Sequence, residues 1–120
     1  MMITNSFFDA YDIVNTSDDV ITLEIKIGNN QPSSSILYVE GQNSRSFNNE
    51  FRVPLGAAKD LHGKAFTLVT TIFDLNQDND NIQMSLHLSG GKADMNEPIF
   101  NTKVDKPKDM AVAMIQILFV

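Results

Sequence analysis

Apolar and polar residues alternate with a period of two through most of the chain. Between 20 and 27, Ile21, Leu23, Ile25 and Ile27 share one face, and Thr22, Glu24 and Lys26 share the other. That pattern predicts a strand with one side on a core and one in water. Asn29-Asn30-Gln31-Pro32 and the three serines after it read as a turn or loop, and Ile36-Leu37-Tyr38-Val39 as a short strand stopped at Glu40-Gly41. Residues 47–55 alternate again, with Phe51, Val53 and Leu55 inward. Pro54 cannot donate a ladder bond, so it marks an edge or a strand end. The glycine-flanked segment 56–63 has room for one helical turn.

Residues 66–73 are β-branched and partly apolar on both faces, as in a central strand. They are expected to pair with 82–88, where Ile82, Met84, Leu86 and Leu88 alternate with Gln83, Ser85 and His87, in a hairpin closed by a polar loop over 74–81. Residues 99–104 form a weaker strand. The last ten residues read as a strand, because Ile115, Ile117 and Phe119 share a face and no polar stripe recurs at helical spacing. The alanines, with Asp109 placed like an N-cap, keep a short buried helix as the alternative. Since no long amphipathic helix occurs, the chain is expected to be all-β. The expected fold is a single antiparallel β-sandwich or jelly-roll-like domain of about seven to eight strands over 1–120.

Length agrees with one domain: 120 residues suffice for one core and not for two. Cysteine is absent, which removes disulfides, thiolate chemistry and Cys-based metal sites. The net charge of −6 repels a phosphate backbone, and the nine basic residues are scattered, so nucleic acid is not an expected partner. No run reaches the roughly 18–20 apolar residues of a membrane helix, and the first residues lack a basic, apolar leader. These features predict a cytoplasmic protein without a transmembrane segment.

One stretch carries candidate chemistry. Asp74, Asn76, Asp78 and Asp80 place oxygen ligands at alternate positions, which resembles the opening of an EF-hand calcium loop. Asn79 stands where that loop has glycine, and Ser85 where it has its bidentate glutamate. Ile72-Phe73-Asp74-Leu75-Asn76 is similar to the strand end and Asp-x-Asp start of a calcium loop in C2 domains. That resemblance implies a C2-like sandwich with calcium as a possible cofactor, although the second acidic loop of that family is missing. The plain alternative is a solvated hairpin loop, since Asn and Asp favour turns.

Catalytic motifs are lacking. His62 and His87 belong to no metal-binding motif, and Gly-x-Ser-x-Gly is absent. Gly56 to Lys64 has six residues between its glycines where a phosphate loop needs four. Without tryptophan and with two tyrosines, a sugar-stacking platform is also disfavoured. Phe7-Phe8 is either an anchor closing the core or a partner contact. The strand at 111–120 has no charged side chain, so it must be covered, either centrally in its own sheet or by another subunit. The expected function is therefore a non-enzymatic protein-interaction or assembly module that self-associates or binds a protein, with the strand at 111–120 as the candidate contact. The alternative is a calcium-dependent ligand-binding module built on Asp74, Asn76, Asp78 and Asp80.

Overall fold

The computed structural model describes residues 2–74, 81–103 and 110–120. Its elements are β1 (Met2–Tyr11), β2 (Val20–Ile27), β3 (Ser33–Val39), β4 (Arg45–Asn48), β5 (Phe51–Ala57), α1 (Ala58–Leu61), β6 (Ala65–Phe73), β7 (Asn81–Ser89), β8 (Met95–Lys103) and β9 (Met110–Phe119). Two sheets pack into a sandwich, one ordered β1-β9-β6-β3-β4 and the other β5-β2-β7-β8. The fold is the expected all-β sandwich, with nine strands among the described residues in place of seven to eight. The additional strands are β1, whose sequence does not alternate cleanly, and β4, which was read as one strand with β5.

The register corrects a second expectation. β1 runs parallel to β9, from Met2 opposite Met110 to Tyr11 opposite Phe119. The other described pairings are antiparallel. The expected hairpin of 66–73 with 82–88 does not form: β6 lies between β9 and β3 in one sheet and β7 between β2 and β8 in the other. Residues 110–119 are a strand and not a helix. β9 lies between β1 and β6, with backbone partners on both sides. Such a position suits a strand without charge, because both rows of its amides are satisfied internally.

The core lies where the two inner faces meet. Ile21, Leu23, Ile25, Leu37, Phe66, Leu68, Ile72, Leu86, Leu88, Ile115, Ile117 and Phe119 are all withdrawn from water. Each contributes up to about 1.5–3 kcal/mol of burial. Phe119 meets Phe66 at 5.9 Å and Tyr11 at 6.5 Å between ring centroids. The glycine-flanked helical turn is α1, which places Ala58 and Leu61 over one end of this core. Pro54 lies at a sheet edge as expected, in β5, and Pro98 lies at the other edge of the same sheet, in β8, each beside a register shift.

The serine run belongs to β3 and not to a loop. Ser33 and Ser35 point inward, which alternation of apolar residues cannot reveal. The Ser35 hydroxyl and the Ser33 backbone are accommodated locally. Ser35 Oγ and Thr70 Oγ1 lie 2.8 Å apart in the interior. Asn49 accepts the Ser33 N–H on its side chain at 3.2 Å and donates its own N–H to the Ser33 carbonyl at 2.8 Å. Asn49 adopts φ 64° where the chain passes from β4 in one sheet to β5 in the other, a conformation asparagine tolerates better than most residues. The stacked rings of Phe47 and Phe51, 4.2 Å apart, close that side.

Tyr11 fastens the opposite part of the sandwich. Its hydroxyl accepts the Gly91 N–H at 3.0 Å and donates to the Leu88 carbonyl at 3.4 Å. Any side chain at Gly91 would meet the Tyr11 ring and the Asp12 carbonyl. Burial raises the Tyr11 pKa above 10.0, the Gly91 hydrogen bond opposes the rise, and the Asp94 charge adds to it.

Two predictions follow from this packing. With its folded pKa raised, Tyr11 contributes stability that is complete below about pH 10 and is lost as pH rises through the folded value. Alkaline unfolding followed by circular dichroism should therefore show a steep loss above about pH 10 that Tyr11→Phe flattens; an unchanged slope contradicts this assignment. Ser35→Ala or Thr70→Val alone should cost about 1–3 kcal/mol by stranding the remaining hydroxyl. The double variant should cost clearly less than the sum, as denaturant titration of the four proteins would show.

Candidate functional site

The two outer faces of the sandwich differ in chemistry. On the four-stranded sheet, the outward positions include Glu24 and Lys26 on β2, Arg52 on β5 and Gln83, Ser85 and His87 on β7. Their charges neighbour one another: Lys26 Nζ lies 4.0 Å from Glu24 Oε1. His87 sits 3.8 Å from Glu24 through Nδ1 and 3.7 Å from Asp94 through Nε2. The two carboxylates meet opposite nitrogens of the ring, so this arrangement orients an imidazole and does not converge on a metal. His87 has a side-chain exposure of 38%, in line with a strand residue facing solvent.

The five-stranded sheet presents a different face. Its outward positions are Met2, Thr4, Ser6, Phe8 and Ala10 on β1, followed by Met110, Val112, Met114, Gln116 and Leu118 on β9. The register carries the face on through Ala65, Thr67, Val69, Thr71 and Phe73 on β6, Ser34, Ile36 and Tyr38 on β3, and Ser46 and Asn48 on β4. None of these side chains is charged. Phe8 is 63% exposed, Ile36 56%, Met114 45% and Leu118 43%. Cross-strand register sets Met114 beside Val69 and Val69 beside Ile36, and places Tyr38 opposite Thr67. The apolar side chains therefore form a continuous surface. A depression of about 360 Å³ between Phe8, Gln116, Leu118 and Glu40 indents its rim.

β1 adds a free edge to this surface. It is ten residues long, contains no proline, lysine or arginine, and pairs only with β9 among the described strands. The other edges are blunted: β4 has four residues, and β5 and β8 each carry a proline beside a register shift. The Phe7-Phe8 pair divides between its two expected roles. Phe7 packs against the core while Phe8 stands on the outer face.

Of the candidate cation ligands, only Asp74 lies within the described residues; Asn76, Asp78 and Asp80 fall outside them. Asp74 does not face solvent. It is 2% exposed, and its Oδ1 accepts a 2.8 Å hydrogen bond from Gln31 Nε2. Among the described residues no group of three or more His, Cys, Asp or Glu could hold a metal ion. A depression of about 420 Å³ near β7 and β8 is lined by Met84, Pro98 and Phe100 with Lys26 and Glu50 as its charged groups.

No family model matches the chain, and no curated protein matches it. Among solved structures, a mutant of the major pilin from Streptococcus pyogenes is similar at 10% identity and a TM-score of 0.28, over 99% of this chain. The chain spans about half that pilin, 48% of its length. A likeness at this level carries no argument about fold or function. No described helix is long and apolar enough to cross a membrane.

The division of the two phenylalanines is testable. Phe7→Ala should cost about 1–3 kcal/mol in a denaturant titration, whereas Phe8→Ser should stay within about 0.5 kcal/mol of the parent. Equal losses for both would contradict the assignment of Phe8 to a free surface.

Proposed function

We propose that the chain is a non-enzymatic assembly module that self-associates through the outer face of its five-stranded sheet. The supporting observation is the missing charge on that face in a chain of net charge −6. A surface patch of apolar residues on this scale marks an interaction site more often than an idle surface. Four strands at about 4.8 Å spacing and roughly 25–30 Å length give on the order of 500 Å² per copy. Two such faces bury about 1,000 Å², the lower limit for a specific interface, so a reversible pair is expected.

The partner that suits this face is a second copy. Flat sheet faces stack about 10 Å apart with interdigitating side chains. Stacked in this way, the charged faces bearing Glu24, Lys26 and Arg52 point outward, away from each other, and the carboxylates near the contact, Asp9 and Glu40, lie at its rim. The exposed edge of β1 lies at the rim of the same surface and extends it. Calcium-dependent ligand binding through Asp74, Asn76, Asp78 and Asp80 stands as the second reading, favoured by the buried Asp74 carboxylate alone.

Light scattering after size exclusion tests the first reading. The apparent mass should rise from 13.4 kDa toward twice that value as concentration increases. Met114→Lys combined with Leu118→Lys should hold the protein at 13.4 kDa, with a stability change within about 1 kcal/mol for two exposed positions. A parent that stays monomeric at every concentration, or a double variant that still pairs, contradicts the proposal.

A further inference from the structure

Two hydrogen bonds show which backbone groups of β1 face away from β9, its neighbour among the described strands. The Val120 N–H donates to the Tyr11 carbonyl at 3.0 Å, so the Tyr11 backbone faces β9. Asp9 Oδ1 accepts the Ala10 N–H at 2.8 Å, so that amide is turned out of the ladder. Successive residues of a strand aim their N–H and C=O groups to opposite sides. The odd-numbered residues of β1 therefore bond β9, and Met2, Thr4, Ser6 and Phe8 hold theirs toward the free edge. Asn5 Nδ2 donates to the Ile99 carbonyl at 2.6 Å, which ties this edge to β8 of the opposite sheet.

We propose that the β1 edge pairs antiparallel with β1 of a second copy, across a two-fold axis at Asn5. The order of the residues carries the choice of partner. Met2-Ile3-Thr4-Asn5-Ser6-Phe7-Phe8 has two apolar residues, three polar ones and two apolar ones, so its polarity reads the same in both directions. Set antiparallel about Asn5, Met2 lies opposite Phe8 of the other copy, Ile3 opposite Phe7, and Thr4 opposite Ser6. The even-numbered pairs exchange N–H···O bonds through the groups that face the edge. Met2 and Phe8 meet on the outer face. Ile3 and Phe7, only partly buried against the core of one copy, cover each other on the inner face. Asp9, the one charge of the strand, falls outside the paired stretch, with the two carboxylates about 27 Å apart and screened from each other. A parallel pairing would instead set the two Asp9 side chains next to each other.

The paired stretch is about 24 Å long and the sandwich about 10 Å deep, so both copies together bury on the order of 500 Å². Such a contact is transient by itself, in keeping with the monomer expected of the Met114→Lys, Leu118→Lys variant. Its effect is to join stacked pairs side by side and to continue the uncharged face from one copy to the next. It uses a different surface from the stacked face.

The chain has no cysteine, so introduced thiols report the register. Met2→Cys and Phe8→Cys are each placed in a chain carrying Ile36→Lys and Tyr38→Lys, which removes the stacking three strands away from the edge. Under mild oxidation, an equimolar mixture of the two should form the mixed disulfide on the order of tenfold faster than either forms its own. Mixed thiols face each other in this register, whereas like thiols lie about 20 Å apart. Peptide mass spectrometry separates the two kinds of product. Adding Ser6→Pro to both chains removes a donor from the free edge and should bring the mixed rate down to that of the like pairs. The melting temperature should stay close to the parent's, since the Ser6 N–H is not spent on β9. No preference for the mixed disulfide overturns the proposal and leaves the edge to a strand of another protein. A preference that survives Ser6→Pro, or a Ser6→Pro chain that unfolds, also overturns it. Because stacking is absent throughout, these results stand apart from the fate of the stacked face.

Discussion

β9 is the strand on which the sandwich depends, because it carries no charge and must satisfy its backbone on both sides. It does so by pairing in parallel with β1 and antiparallel with β6. Ile115, Ile117 and Phe119 fill the core beneath it. The ladder is then extended at one end: the Phe119 N–H donates to the Lys64 carbonyl, the Val120 N–H to Tyr11 and the Ile13 N–H to Val120. Among the described residues nothing covers the other face of the strand. Met110, Met114 and Leu118 remain on the outside, so the strand that organises the interior also supplies the apolar exterior.

That coupling gives the two sheets different duties. The four-stranded sheet has the usual division, with Ile21, Leu23 and Ile25 inward and Glu24 and Lys26 in water. The five-stranded sheet repeats the inward half and replaces the charged half with uncharged residues, Met, Leu, Ile, Val and Phe interspersed with Ser, Thr, Asn and Gln. An open antiparallel sheet ordinarily solvates one face with polar residues. A sheet face without charge and with exposed Phe8, Ile36, Met114 and Leu118 gains stability when a second surface excludes water from those side chains, which is the physical basis of the assembly reading.

Periodicity made β2, β6 and β7 legible, because their inward residues are uniformly apolar and their outward residues in β2 and β7 mostly polar. It failed at three places for separate reasons. Ser33 and Ser35 are inward but hydrophilic, and the groups that bond the Ser35 hydroxyl and the Ser33 backbone, Thr70 and Asn49, are distant in sequence. β4 and β5 join in one continuous alternation, so the crossing between sheets at Asn49 left no mark except an asparagine. β1 takes its place from pairing with β9, over one hundred positions away in sequence, and its own residues lack a clear pattern. The outer surface was partly visible in the uncharged run 111–120. Its extension across β6 and β3 needed the register. Asp74 was singled out as a loop ligand, and its inward turn toward Gln31 has no signal in sequence spacing.

Methionine oxidation examined against protein concentration tests the assembly claim most directly, since the chain carries its own probes. Met2 and Met114 lie on the outer face, while Met84 is buried between the sheets and serves as an internal standard. Brief peroxide treatment followed by peptide mass spectrometry should oxidise Met114 readily in dilute protein and far more slowly in concentrated protein. Met84 should stay protected throughout. Equal oxidation of Met114 at every concentration would contradict the account, because it would leave the uncharged face open to water where the account requires a second copy.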